Sequence, residues 1–261
     1  MLYICDRRSM EHYFQFQRLD SAHALEQSYA LRHEVYCNEC GFLPAAAFPD
    51  GLETDEFDDA SIHFGGYTLD GSMAGTVRLV VGELKDLPCA QKCTLDPTLL
   101  PRDTTIETVA EVSRLAVSRR FRRRATDGIL PDMRDGPTDA AMHSNRRRNS
   151  PELVLGLYKT MYQESKRRGI QYWFAAMETS LARLLERFDF HFQPVGPEVD
   201  YYGPVTPYVA RLADLEAEIF AHNPAMLAEL ADGLERALYP SQLIPGATMP
   251  PSLRQTARLS A

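Results

Sequence analysis

No stretch of this sequence reaches the roughly 18 to 20 consecutive apolar residues that cross a bilayer. The opening "MLYICDRRSM" has no unbroken apolar run of signal-peptide length either, so the expected setting is the cytoplasm. Cysteine is scarce and odd in number, five in 261 residues. A chain of this size can bury enough core to need no disulfide framework. Excess positive charge is missing too: a formal net charge of -8 and a pI near 5.4 argue against a general nucleic-acid binder. No internal repeat is found. With 44% hydrophobic residues, the chain reads as one large globular domain or a domain with appendages. Any cluster of arginines in it is then a local device.

The periodicities give an order of elements. "LDSAHALEQSYALRHEVYC", residues 19–37, spaces Ala22, Leu25, Tyr29, Val35 and Tyr36 at helical intervals behind Asp20 or Ser21 as a cap. "FGGYTLDGSMAGTVRLVV" reads as a hairpin turning at Asp70-Gly71. "IETVAEVSRLAVS" is a further strand, reached through the proline-punctuated "DPTLLP". "PELVLGLYKTMYQESKRRG" is a helix with Pro151 near its start, basic residues in its last turn and Gly169 as its stop. After it come a buried strand, "IQYWFAAME", and a short helix opened by Thr179 or Ser180. "HFQPVGPEVDYYGPVTPYVARL" reads as two edge-like strands interrupted by prolines. The order predicts an α/β fold, a mixed sheet in one layer with helices on its faces. Residues 125–150 have no apolar period and read as a flexible loop. Residues 1–18 read as an extension, 19–212 as the main domain, and 213–261 as one or two amphipathic helices followed by a proline-rich tail.

One stretch concentrates the chemistry. "TVAEVSRLAVSRRFRRR", Thr108 to Arg124, begins like a buried strand that carries Glu111 and Arg114 and ends in Arg119, Arg120, Arg122, Arg123 and Arg124. On a regular strand Glu111 and Ser113 face one way, and Val112 and Arg114 the other, unless a bulge intervenes. Cys37 and Cys40, with Cys89 and Cys93, invite a zinc reading, but the two pairs differ in spacing and neither lies in a glycine-rich knuckle. Free thiols and no metal are expected. His63, just after an acidic stretch, is a candidate second proton carrier or a strand-start residue with a backbone partner.

Taken together, "LRHEVYCNECGF", "GLETDEFDDASIHF", "GTVRLV" and "AEVSRLAVS" resemble the acyl-homoserine-lactone synthase branch of the GNAT-like acyltransferases. The likeness is nearest to the PEP-CTERM/exosortase-associated acyltransferases and the long-chain N-acyl amino acid synthases, and runs from about Leu19 to Leu212. It implies a GNAT-like fold whose central sheet splays into a V, with a pantetheine-borne acyl chain in the cleft. It also implies a polar cluster at the acceptor site: Arg32, Asp55, Asp58, Arg78, Glu111 and Arg114 match, and Tyr36 and Phe42 fall where aromatics enclose the active centre. Phe42 stands where lactone synthases usually carry tryptophan, which favours the amino acid acylating relatives over S-adenosylmethionine as acceptor.

Acyl transfer to an amine needs a base for the ammonium proton and donors for the thioester oxygen. Glu111 is the candidate base, and a backbone N–H near Ser113 to Leu115 the candidate oxyanion donor. In the competing reading Glu111 and Arg114 pair with Arg32, Arg78, Asp55 and Asp58 to pin the N-terminal lobe. The five arginines after the strand lie where the family cradles the donor's pyrophosphate. The coenzyme A fingerprint, Gln/Arg-x-x-Gly-x-Gly/Ala, is degraded here, so an acyl carrier protein, with one phosphodiester on an acidic surface, is the expected partner. Acyl-CoA is the second choice of donor. The expected activity is N-acylation of an amino acid or similar small amine, with no bound cofactor. The alternatives are a lactone synthase consuming S-adenosylmethionine and a non-catalytic lipid- or carrier-binding module.

Overall fold

The computed structural model describes residues 13–102, 108–121 and 150–244. The sheet starts five residues before the expected domain start, with β1 (Phe14–Arg18) antiparallel to β2 (Ser61–Thr68). β2 and β3 (Met73–Val81) form the expected hairpin, and Gly71, at φ 81°, supplies the left-handed turn residue. β3 pairs antiparallel with β4 (Val109–Val117), and β4 pairs parallel with β5 (Tyr172–Met177). The segment read as two edge strands forms three: β6 (Gln193–Pro194), β7 (Val199–Asp200) and β8 (Pro204–Arg211). β8 is an interior strand despite its prolines, paired with β5 on one side and β6 on the other. Pro207 lacks an N–H, but its carbonyl accepts from Val195 (2.9 Å), so the ladder loses only a donor. β7 also pairs with β8, outside the main strand order β1-β2-β3-β4-β5-β8-β6.

The first helix, α1 (Ala22–His33), is capped by Ser21, whose hydroxyl accepts from the Ala24 N–H at 3.2 Å. It ends sooner than the periodicity suggests, because the chain continues from Glu34 to Glu39 as a π-helix. This wider turn carries Tyr36 and Cys37 off the α-helical phase. A short helix, α2 (Pro88–Lys92), follows β3. The long helix α3 (Ser150–Arg168) stops at Gly169, φ 73°. α4 (Thr179–Glu186) begins at the expected residues, with Glu178 in the capping position. The C-terminal piece resolves into two helices, α5 (Leu212–His222) and α6 (Pro224–Ala231). The loop expected at 125–150 lies outside the described residues except for Ser150.

Alternation along β4 and β5 divides the interior into two. Ala110, Val112, Trp173 and Ala175 join the main core with Leu153, Leu157, Tyr158 and Met161 of α3. Val109, Tyr172 and Phe174 face the other way and form a smaller core with Phe57, Val80, Leu87, Cys89 and Val195. Glu111 shares the parity of this second face.

The connection behind α2 is pressed against the far edge of the sheet. The Asp96 N–H donates to the Val195 carbonyl at 2.7 Å, and a Cβ on Gly196 would meet the Thr94 carbonyl oxygen at 2.0 Å. Both sides of that contact are backbone, so neither yields cheaply. Gly196→Ala is expected to cost about 2 kcal/mol or more through overpacking and to lower the melting temperature by about 4 °C or more. A variant that melts with the wild type would show that this connection moves freely.

Candidate acyl-transfer site

β4 and β5 share only the rungs Val109 with Tyr172, Ala110 with Trp173 and Glu111 with Phe174. Beyond Glu111 the two strands part, which is the expected V. At the same place β4 acquires an extra residue against β3. Arg78 faces Ser113 and Thr76 faces Ala116, so three steps on β4 match two on β3. Arg114 takes up the excess at φ 51°, a left-handed conformation that a non-glycine residue holds only under restraint. The bulge puts Ser113 and Arg114 on one face and returns Leu115 to the main core. Without it Arg114 would point away from Glu111.

The restraint is a closed ring of charges. Arg32 donates from Nε to Glu53 Oε2 at 2.5 Å and from Nη1 and Nη2 to the two Asp58 oxygens at 2.7 and 3.1 Å. Arg78 continues to Asp58 Oδ1 at 2.7 Å and grips Asp55 at 2.5 and 3.1 Å. Arg114 donates from Nη2 to Asp55 Oδ2 at 2.8 Å and from Nε to Glu53 Oε1 at 3.1 Å, which closes the circuit. Arg32 and Arg78 are each 1% exposed and Glu53 is 0% exposed. Burial pushes the Asp58 carboxyl up, but the Arg32 hydrogen bond and the Arg32 and Arg78 charges outweigh it and hold the group well below the usual carboxylate range. Asp55 is lowered for the same reason, with Arg78 and Arg114 opposing its burial.

Glu53 went unrecognised in the sequence reading. Its signal lay in "GLETDEFDD", where Glu53, Asp55 and Asp58 turn inward while Glu56 and Asp59 stay exposed. The aromatic enclosure is also wider than Tyr36 and Phe42. The Arg114 guanidinium lies 5.6 Å from the Tyr36 ring centre and 4.8 Å from that of Tyr202. Tyr202 sits at φ 57° in the β7–β8 turn. Gly203 beside it has no side chain, which admits Phe42; a Cβ there would meet the Phe42 ring at 3.1 Å. Tyr36 donates to the Leu115 carbonyl at the bulge, 3.0 Å.

Glu111 stands apart from the ring, contrary to the reading in which it pairs with the arginines. It is 1% exposed, and its Oε2 accepts from the Cys89 backbone N–H at 2.7 Å. Burial pushes the carboxyl up to about 7, against the Cys89 backbone hydrogen bond and the more distant Arg78 and Arg114 charges, which lower it. Ser113 is engaged as an acceptor from Arg78 Nε at 3.0 Å, which suits a support for the ring and not a nucleophile. His63 is buried, 3.3 Å from the Asp58 carbonyl through Nε2, and burial lowers its pKa despite the opposing influence of Asp58. Arg119 and Arg120 are exposed on the turn after β4. Arg122, Arg123 and Arg124 lie outside the described residues. Cys37, Cys40, Cys89 and Cys93 are free thiols.

Because each ring member has two partners, removing one leaves buried charges unpaired. Arg32→Ala and Asp58→Ala are each expected to cost roughly 3 to 5 kcal/mol, read as a lower denaturation midpoint. The lowered carboxyls of Asp55 and Asp58 contribute stability that is present above their ordinary value of 3.8 and lost as pH falls through their folded values. The wild type should therefore lose stability steeply below pH ~4, and Asp58→Ala less steeply. Unchanged melting in Arg32→Ala would place that residue outside the buried ring.

Residues 31–131 match the acetyltransferase (GNAT) domain family. Comparison with curated proteins returned no match. Among solved structures, the fold resembles TofI in a ternary complex with an inhibitor and MTA (TM-score 0.55, 18% identity, covering 87% of this chain and 99% of that one). It also resembles BjaI, a CoA-dependent acyl-homoserine lactone synthase, with SAM and isopentyl-CoA (TM-score 0.51, 19% identity, 84% and 88% covered). A third is FeeM, an N-acyl amino acid synthase from uncultured soil microbes (TM-score 0.50, 12% identity, 80% and 95% covered). The chain has the GNAT-like acyltransferase fold, and the matched span holds Glu111 and every member of the ionic ring.

Proposed function

We propose that the protein transfers a fatty acyl group from a phosphopantetheine thioester to the amine of an amino acid or similar small acceptor. The observation that carries this reading is the junction at Glu111. The β4–β5 ladder ends there, and the buried carboxyl has a pKa raised to about 7, the range suited to a general base at neutral pH. In this reading the pantetheine arm enters between the parted strands, and Glu111, directly or through a water, takes a proton from the acceptor's ammonium. The freed amine attacks the thioester carbonyl. A backbone N–H of the bulge, Ser113 to Leu115, steadies the oxyanion, and the thiolate leaves and is protonated. Ser113 forms no covalent bond. The ring holds Arg114 and the bulge in place, and Tyr36, Phe42 and Tyr202 wall the acceptor side.

Acyl carrier protein is the proposed donor because Arg119 and Arg120, exposed beside the end of β4, suit an acidic carrier surface. Acyl-CoA, the donor class named for BjaI, is the alternative. The likeness to TofI and BjaI also supports a second reading, lactone synthesis from S-adenosylmethionine. Release of methylthioadenosine separates the two. The PEP-CTERM/exosortase association and a cytoplasmic setting belong to this proposal; among the described residues no helix is long and apolar enough to cross a membrane.

Mass spectrometry of lipid extracts from cells overexpressing the chain should show an N-acylated amine that Glu111→Gln abolishes. In purified form that variant should fold and turn over ~100-fold more slowly or worse, the scale of a lost general base. A folded variant with full activity would remove Glu111 from the reaction. The same variant carries a pH signature. Because the folded-state pKa of Glu111 is raised, its contribution to stability is present at low pH and lost as pH rises from 4.5 through about 7. Glu111→Gln should therefore gain on the wild type by on the order of 3 kcal/mol between pH 4 and pH 8. For the donor, Arg119→Glu with Arg120→Glu should raise KM for acyl carrier protein far more than for a short acyl-pantetheine. The wild-type preference should shrink as salt rises, since exposed charges are screened over about 8 Å at physiological ionic strength. Equal losses with both donors and no salt dependence would remove the carrier-protein reading.

A further inference from the structure

Of the buried rings in the main core that carry a polar atom, Trp173 and Tyr162 are paired. The Trp173 indole N–H donates to Ser165 Oγ at 2.9 Å, and the Tyr162 hydroxyl donates to Glu216 Oε1 at 2.8 Å. Tyr158, in the same core and 0% exposed, carries a buried hydroxyl with no hydrogen-bond partner among the described residues. Its ring stands edge-on to Trp173, with centres 5.9 Å apart, and to Phe190, at 5.5 Å. A phenylalanine would keep both contacts, so ring packing gives the oxygen no role. A buried hydroxyl left without a partner weakens the fold that holds it. The place of this hydroxyl suggests what it is for. Trp173 occupies the rung before the last one that β4 and β5 share. The next residues on the same face are Val112 of β4 and Ala175 of β5, where the strands have parted, and both belong to the core around Tyr158. β5 continues past the last rung as Ala175-Ala176, so it adds little side-chain bulk beside the gap.

We propose that Tyr158 is the specificity-determining residue for the donor's acyl chain: its hydroxyl donates to an oxygen carried on that chain, a hydroxyl or keto group, and so selects oxygen-bearing chains over plain ones. This rests on the reading in which the thioester enters between the parted strands. A plain chain covers the phenol and leaves it unpaired, whereas an oxygen-bearing chain brings its own acceptor. Apolar surroundings make that one bond count, because no water competes for the donor. Leu153, Leu157 and Met161 of α3, in the same core, offer methylenes only contact area. Burial also pushes the phenol above its ordinary value, so it remains a donor at any working pH.

The test is calorimetric binding of non-transferable acyl-pantetheine amides to the full chain, wild type and Tyr158→Phe. The amides share one chain length and are either plain or carry a single hydroxyl or keto group moved stepwise along the chain. In the wild type an oxygen at one position should bind about tenfold more tightly than the plain chain, the scale of one buried hydrogen bond. Tyr158→Phe should lose that gain and bind the plain chain at least as well. Without ligand, its denaturation midpoint should equal or exceed that of the wild type, because no hydrogen bond is removed. A wild type indifferent to every oxygen position overturns the proposal, as does a preference that survives in Tyr158→Phe. A clearly lower midpoint in the unliganded variant also overturns it, since the hydroxyl would then be paired in the free protein. Binding is read without turnover, so the two readings fail separately. Selective binding with no amine acylated keeps Tyr158 as the residue that reads the chain and retires the proposed transfer reaction, whereas no binding of any acyl-pantetheine retires both.

Discussion

The arrangement depends on six charges that close on themselves. Arg32, Asp58, Arg78, Asp55, Arg114 and Glu53 alternate in sign around a circuit in which each member touches two opposites. They come from α1, the acidic loop, β3 and β4, so one electrostatic object ties four separate pieces of chain. Burying an unpaired ion costs several kcal/mol, and the attraction repays it only when each charge finds good partners. A closed ring meets that condition with no loose end. It also explains how β4 keeps a non-glycine residue in the left-handed region, since the conformation that strains Arg114 is the one that brings it to Glu53 and Asp55.

The bulge and the splay are two consequences of that anchoring. With Arg114 held by Glu53 and Asp55 of the acidic loop, β4 leaves its regular register against β3, and one residue earlier on that face it stops pairing with β5. Glu111, at the last shared rung, is near the ring without belonging to it. Two kinds of buried carboxyl then coexist within a few residues. The ring acids touch guanidinium groups and stay ionised, whereas Glu111 is buried with the Cys89 backbone N–H as its hydrogen-bond donor and is pushed toward neutrality. Opposite environments a few ångströms apart keep one set of acids ionised within the ring and raise the pKa of the other.

The aromatic wall completes the enclosure from a distant part of the chain. Tyr36 arrives on the π-helix, while Tyr202 arrives on a strained turn more than 160 residues later. Both stack on the same guanidinium. A cation already saturated by carboxylates offers its faces to rings, and the rings exclude water from the ion pairs beneath.

Periodicity and turn chemistry were enough to read the hairpin at Asp70-Gly71, the α3 stop at Gly169 and the apolar strand β5, because a helix or strand is a local repeat of side-chain exposure. Four short motifs in order carried the resemblance, and with it Arg32, Asp55, Asp58, Arg78, Glu111 and Arg114. Local pattern misread β8 as an edge, since prolines argue against interior strands and only the neighbouring strands reveal that its remaining carbonyls are used. It passed over Glu53 because five acids in nine residues look alike until the fold turns three of them inward toward arginines. It could not tell whether Glu111 and Arg114 pair: the bulge brings both to one face, and Arg114 is nonetheless taken up by Glu53 and Asp55. Nor could it join Cys89 to Glu111, 22 residues apart. Sequence alone determined which charges and apolar stripes the chain possesses; tertiary structure decided which charges neutralise one another and which carboxyl is left in apolar surroundings, because pairing and desolvation exist only between groups that folding brings together.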